Sequence, residues 1–240
     1  MKMKSIILSI LFVGFTSTAV HGQAALLVLL FGDKVASENF YFSLKAGANY
    51  SNINNLDNAK TDWGLNFGLW MNVKLSDKFF LTPDFMPLSN KGVKDIDPLP
   101  TGNADIDLQL RDPSLTYRAL NYLDIPVLLK YMVTDEFSIS AGPQISILLS
   151  AADTYEVDKG DEDFLRYENN IKSKLNSLDY GATLELTYEL ANARKGKGLR
   201  IHAKYAIGIS DIIKDNSGDA LTNSVFHLGV SFPFIEKKED

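Results

Sequence analysis

The stretch Asp62–Ser76, DWGLNFGLWMNVKLS, decides the fold. Trp63, Leu65, Phe67, Leu69, Met71, Val73 and Leu75 are all apolar, and Gly64, Asn66, Gly68, Trp70, Asn72 and Lys74 stand between them. A period of two belongs to a β-strand, whose successive side chains point to opposite faces. A helix with this sequence would spread its apolar residues around the whole cylinder. The apolar face is also long enough to matter, since about 9–11 tilted strand residues cross the hydrocarbon core of a bilayer.

Working outward, the same alternation recurs on both sides. In FYFSLKAGANYS (40–51), Phe42, Leu44, Ala46, Ala48 and Tyr50 share a face opposite Tyr41, Ser43, Lys45, Gly47, Asn49 and Ser51. YLDIPVLLKYMV (122–133) places Leu123, Ile125, Val127, Leu129, Tyr131 and Val133 against Asp124, Pro126 and Lys130. FSISAGPQISILLS (137–150), DYGATLELTYEL (179–190), LRIHAKYAIGIS (199–210) and SVFHLGVSFPF (224–234) repeat the pattern. The segment KFFLTPDFMPLSN (78–90) is less regular, because Pro83 and Pro87 each remove a ladder donor. Counting it, the reading predicts eight strands.

Alternation alone does not say which face meets lipid. A soluble lipocalin-like barrel would turn its apolar residues inward. Three features point to lipid outside. The polar faces carry Lys45, Lys74, Arg118, Asp124, Lys130, Glu185, Glu189, Arg200 and Lys204, which can pair inside an eight-stranded barrel just wide enough for side chains. Tyr50, Trp63, Tyr117, Tyr131, Phe137, Tyr180 and Phe234 stand near strand ends, where interfacial girdles form. Finally, connections alternate in length. Those at 52–61, 91–114, 153–177 and 211–222 are medium or long, and those at 76–78, 134–136 and 191–198 are short. Outer-membrane barrels have short periplasmic turns and longer external loops.

The expected architecture is therefore all-β: an eight-stranded antiparallel transmembrane up-and-down β-barrel of the cell outer membrane, with both termini in the periplasm. Lys2, Lys4 and the apolar run Ile6–Val20 predict a signal peptide over 1–23. A periplasmic segment (24–39), the barrel (40–235) and a charged tail (236–240) follow. The absence of cysteine excludes disulfides, thiolate metal sites, a cysteine nucleophile and a lipoprotein anchor. A net charge of −6 argues against nucleic acid as a partner.

The strings FYFSLKAGANYSNI, NYLDIPVLLKYMV, FSISAGPQISILLS and HLGVSFPF, in this order, resemble the PorT-like outer-membrane β-barrels of Bacteroidota-type bacteria. The resemblance spans most of Phe40–Phe234. It implies a small barrel whose namesake is linked to protein secretion and gliding. It supplies no catalytic residue.

Candidate chemistry is sparse. A hydrolase would need a histidine with Ser or Asp in reach. His202 and His227 both lie on polar faces, and one pairing to test is His227 with Asp211 or Asp179. Glu156, Asp158, Asp161, Glu162 and Asp163 could attract Ca²⁺, though their spacing is not an EF-hand and a solvated acidic loop is the plainer reading. Asp161–Leu175 looks helical, with Phe164, Leu165, Ile171 and Leu175 placed to cap the lumen. Trp70, Arg118 and Tyr122 point inward and would plug it. We therefore expect no catalytic residue, cofactor or metal site, and a structural or interaction role. A narrow channel and a lipid hydrolase are the alternatives. The expected partners are outer-membrane lipid and lipopolysaccharide, the barrel assembly machinery during insertion, and a periplasmic or secretion-system protein. The chain is expected to be a monomer.

Overall fold

The computed structural model describes residues 39–109, 116–158, 164–190, 198–215 and 217–234. The expected signal peptide, most of the 24–39 segment, the charged tail and Asp161, Glu162 and Asp163 lie outside the described residues.

The strands are β1 (Phe40–Asn54), β2 (Lys60–Lys74), β3 (Phe79–Lys94), β4 (Thr116–Met132), β5 (Phe137–Asp158), β6 (Phe164–Asn170), β7 (Leu178–Glu189), β8 (Arg200–Gly208) and β9 (Thr222–Phe234). A short helix, α1 (Ala104–Gln109), lies between β3 and β4. The sheet order is β4-β3-β2-β1-β9-β8-β7-β5-β6, and a β4–β5 pairing closes the ring. The barrel wall thus holds eight strands, all paired antiparallel, with β6 outside it. Closure is what removes every edge from the wall.

The two faces fall as the alternation requires. Ser43, Lys45, Asn66, Trp70, Asn72, Asp124, Lys130, Glu185, His202 and His227 are buried in the lumen, while Trp63, Leu65, Phe67, Leu129, Tyr131, Leu184, Tyr188, Ile207, Phe226 and Phe232 are exposed on the outside. Soluble monomers rarely expose apolar patches beyond a few hundred Å², and this belt runs around the whole barrel. Aromatic pairs sit in it towards opposite ends: Tyr50 with Trp63 (4.9 Å) and Phe79 with Tyr131 (5.1 Å). Outward-facing Phe42 is buried instead, in a cluster with Phe40, Leu44 and Met71.

Apart from Phe42, the structure departs from the sequence expectation at the end with the long connections. β1, β3, β4 and β5 run further than their alternation suggests, always towards the end with long connections. The ladder Lys94↔Tyr117 and Thr116↔Tyr155 shows the extension. Two bulges hid it. One between Met86 and Ser89 on β3, and one at Leu148–Ser150 on β5, each insert an extra residue and reset the phase. The helix expected over 161–175 is also corrected. Residues 164–170 form β6, paired with β5 from Ala152↔Asn170 to Asp158↔Phe164, and only Lys172–Lys174 make a 3₁₀ turn. The extended β5 offers backbone donors and acceptors that an isolated short helix cannot match.

Candidate functional site

Among the described residues, buried polar chemistry is gathered in the lumen, and it is built in layers. At the end with the tight turns, Glu189 lies 3.1 Å from Arg200 and 3.3 Å from Lys130. Arg200 also donates to the Tyr41 hydroxyl at 2.9 Å. Trp70 sits among these cations, with Lys130 5.1 Å, Arg200 5.3 Å and Lys45 5.8 Å from its ring. An indole face attracts cations when water is excluded.

In the middle layer Lys45 bridges two carboxylates, Glu185 and Asp84, the latter at 3.3 Å. His202 completes the group: Nδ1 is 3.2 Å from Glu185 and Nε2 is 2.7 Å from the Ser231 hydroxyl. Lys204 donates to the Met86 sulfur at 3.4 Å. Above this, Asp124 accepts from Ser89 (2.6 Å) and Lys91 (2.9 Å), and Asn223 donates to Asp179 at 2.8 Å. The His227 ring meets Asn66 and lies 3.2 Å from the Asn49 amide oxygen. It has room because Gly47 and Gly229 face each other beneath it. A Cβ on Gly47 would come within 2.4 Å of the Leu228 carbonyl and 2.8 Å of the His227 ring.

The far end is closed differently. Arg118 makes a two-pronged pair with Asp153, at 2.6 and 2.8 Å, and Asp153 also accepts from Leu99 N at 2.8 Å. Around it Ile53, Val93, Leu120 and Leu148 of the wall meet Ile96, Ile171, Leu175 and Ile212 of the connections. Ile171 and Leu175 therefore cap the lumen, as their sequence positions suggested, though not from a helix. The cap is carried on the loops beside it. Asp107 of α1 accepts from both the Thr101 amide and hydroxyl at 2.7 Å, and these bonds hold its carboxyl below the usual carboxylate range.

Among the described residues the buried lumen charges balance. Lys45, Lys91, Lys130, Lys204, Arg118 and Arg200 face Asp84, Asp124, Asp153, Asp179, Glu185 and Glu189. Between polar layer and cap, a cavity bordered by Lys91, Gln144, Asp179 and Asn223 has room for about one water.

The structure does not join His227 to Asp211 or Asp179. Asp211 instead accepts from Ile213 N at 2.9 Å, and Asp179 from Asn223 and Ser210. It does bring together a set that the sequence reading missed. Ser231, His202 and Glu185 stand in the order of a nucleophile, base and orienting acid. All three are fully buried, and Trp70 packs edge-on against His202 at 5.0 Å. Only the alignment of β7, β8 and β9 assembles them, so no local signal could have found them. Of the acidic loop, Glu156 takes the Tyr117 hydroxyl (3.3 Å) and Arg166 (3.6 Å). No group of three or more metal-ligating side chains is found among the described residues.

A family model for the outer membrane protein beta-barrel domain matches residues 33–214. No curated protein sequence matches the chain. Among solved structures, the chain is similar to the attachment invasion locus protein Ail of Yersinia pestis, with a TM-score of 0.42 at 11% identity, covering 81% of this chain and 98% of that one. It is similar also to OprG from Pseudomonas aeruginosa, with a TM-score of 0.43 at 14% identity over 84% and 99% of the two chains. Neisserial surface protein A gives a TM-score of 0.41 at 12% identity over 82% and 97%.

Proposed function

The chain belongs to the outer membrane protein beta-barrel domain family and resides in the outer membrane, and on that premise we propose that it is a non-enzymatic barrel that works through what it presents outside the membrane and through protein partners. In this reading the tight turns face the periplasm and the long connections face the exterior. The lumen is a structural filling rather than a path.

One observation carries the proposal. The described lumen is packed with buried polar and charged side chains, six cationic and six anionic, most of them ion-paired, and the apolar cap of Ile96, Ile171, Leu175 and Ile212 covers its mouth at the end with the long connections. An eight-stranded barrel filled by side chains leaves no continuous water column. Above the wall, β3, β4 and β5 continue outward and β6 adds a fourth strand, which makes a paired sheet suited to display. The enclosure of Ser231, His202 and Glu185 supports a structural rather than hydrolytic role for that cluster.

Within the family, we place the chain with the PorT-like barrels of Bacteroidota-type bacteria, on the strings YLDIPVLLKYMV and FSISAGPQISILLS, and with a periplasmic or secretion-system protein as its partner. The test is made on the barrel in native membranes and in planar bilayers. Reconstituted protein is expected to give no stepwise conductance, and cross-linking in native membranes is expected to capture a periplasmic or secretion-system protein. Regular conductance steps would replace this reading with the narrow channel.

A further inference from the structure

On three neighbouring strands the outward apolar run stops at one level. On β5 it stops at Leu149, before exposed Ser150; on β7 it starts at Leu178, after exposed Ser177; beyond β8 it stops at Ile209, before Ser210. Backbone bonds tie these positions together, from Leu148 N to Ser177 O (2.9 Å) and from Ile209 N to Tyr180 O (2.8 Å). Along this line the outward apolar face gives way to polar groups at the loop end.

A shallow, open depression of about 550 Å³ crosses that line, with Leu178 and Tyr180 on its apolar side and Asn176, Ser177, Ser210 and Lys214 on its polar side. Lys214 stands on its polar side, and Lys172 lies on the adjoining turn, linked to it through Ser173. Lys214 donates from its ammonium to Ser173 O at 3.0 Å, and Lys172, the residue before Ser173, donates to Leu149 O at 2.8 Å. Both are exposed. An ammonium carries three donors, so each keeps capacity for an anion. The nearest acid in the depression, Asp211, is turned into its own loop, accepting from Ile213 N (2.9 Å) and Leu221 N (3.3 Å). The other is exposed Asp215, next to Lys214.

We propose that this depression binds a phosphorylated glycolipid of the outer leaflet. Its acyl chains lie along Leu149, Leu178, Tyr180 and Ile209, its phosphate meets Lys214 and Lys172, and its sugar hydroxyls meet Asn176, Ser177 and Ser210. The amphipathic wall selects a lipid, the lysines select an anion, and the neutral hydrogen-bonding groups suit sugar better than a bare phosphate. The assignment rests on the outward orientation proposed above, which cysteine labelling reads independently.

The test uses native mass spectrometry of the full barrel in detergent, offered a phosphorylated glucosamine-disaccharide lipid, its dephosphorylated form, or phosphatidic acid. Two charge-assisted contacts predict a preference of about tenfold for the phosphorylated over the dephosphorylated glycolipid. Phosphatidic acid should bind less well than the phosphorylated glycolipid. The pair Lys172→Gln and Lys214→Gln should abolish the preference, while Lys60→Gln, whose lysine pairs with Asp95 at 2.6 Å on another connection, should keep it. Equal retention of both glycolipids by the wild type, equal binding of phosphatidic acid, or an unchanged preference in the double variant would overturn the proposal.

Discussion

Arg118 and Asp153 show what a buried charge requires in this wall. Both are almost fully enclosed, and their two-pronged contact satisfies groups that could not otherwise leave water. Arg118→Ala strands a buried carboxylate beneath the cap and is expected to cost about 3–5 kcal/mol in reversible urea unfolding of the lipid-embedded barrel. Replacing both partners together, Arg118→Leu with Asp153→Leu, should recover most of that loss, because the apolar neighbours Leu120 and Leu148 already line the level. A double variant no better than Arg118→Ala alone would show that the pair does more than neutralise itself. Sequence reading put Arg118 and Asp124 on the polar faces, but partners were beyond it. His227 illustrates the limit. Its face followed from SVFHLGVSFPF, yet its neighbours Asn49 and Asn66 lie on β1 and β2, and the space for its ring comes from Gly47 on β1 and Gly229 on its own strand.

At the scale of elements, β5 departs most from its sequence reading. Its alternation breaks at Leu149–Ser150, and without the structure the strand stops there. The bulge lets it continue to Asp158, and that extension in turn recruits residues 164–170 as β6. β6 then delivers Ile171 and Leu175 into the cap, where both are fully buried beside Ile212. The cap should therefore be a cooperative unit. The double variant Ile171→Ala, Leu175→Ala removes two enclosed side chains, each worth about 2–5 kcal/mol in a packed site. Trypsin applied to intact cells is expected to cut the double variant faster than wild type at Lys172 and Lys174. Unchanged cleavage would mean that the 3₁₀ turn is held by β6 pairing alone. Apolar residues in a long connection were a usable signal for such a cap; their conformation was not, because helix and strand compete closely in a short segment.

At the scale of the molecule, closure and orientation organise everything else. The tight turns collect at one end and the long connections at the other, and on the proposed orientation these are the periplasmic and exterior ends. Because the chain has no cysteine, single introduced thiols report sidedness without background. Ser217→Cys, exposed on the connection between β8 and β9, should react with a membrane-impermeant maleimide on intact cells. Ser76→Cys, exposed on the β2–β3 turn, should react only after permeabilisation. The reverse pattern would invert the barrel, and with it the proposed glycolipid site would face the inner leaflet.

Where the alternation is unbroken, the facing of residues in the wall was determined by the sequence itself, since a period of two is a local property that each strand carries alone; past the bulges on β3 and β5 it was not. The even strand number and the alternation of turn and loop lengths were likewise readable along the chain. Only the tertiary structure decided which lumen groups meet. Lys45 reaches Glu185 across 140 positions of sequence, and His202 reaches Ser231 from a neighbouring strand. Those meetings depend on closure, which sets every strand's height against all the others, and on bulges that shift the phase between them. The cap has the same origin. Three connections distant in sequence share one apolar cluster because the ring of strands brings their ends together over a single mouth.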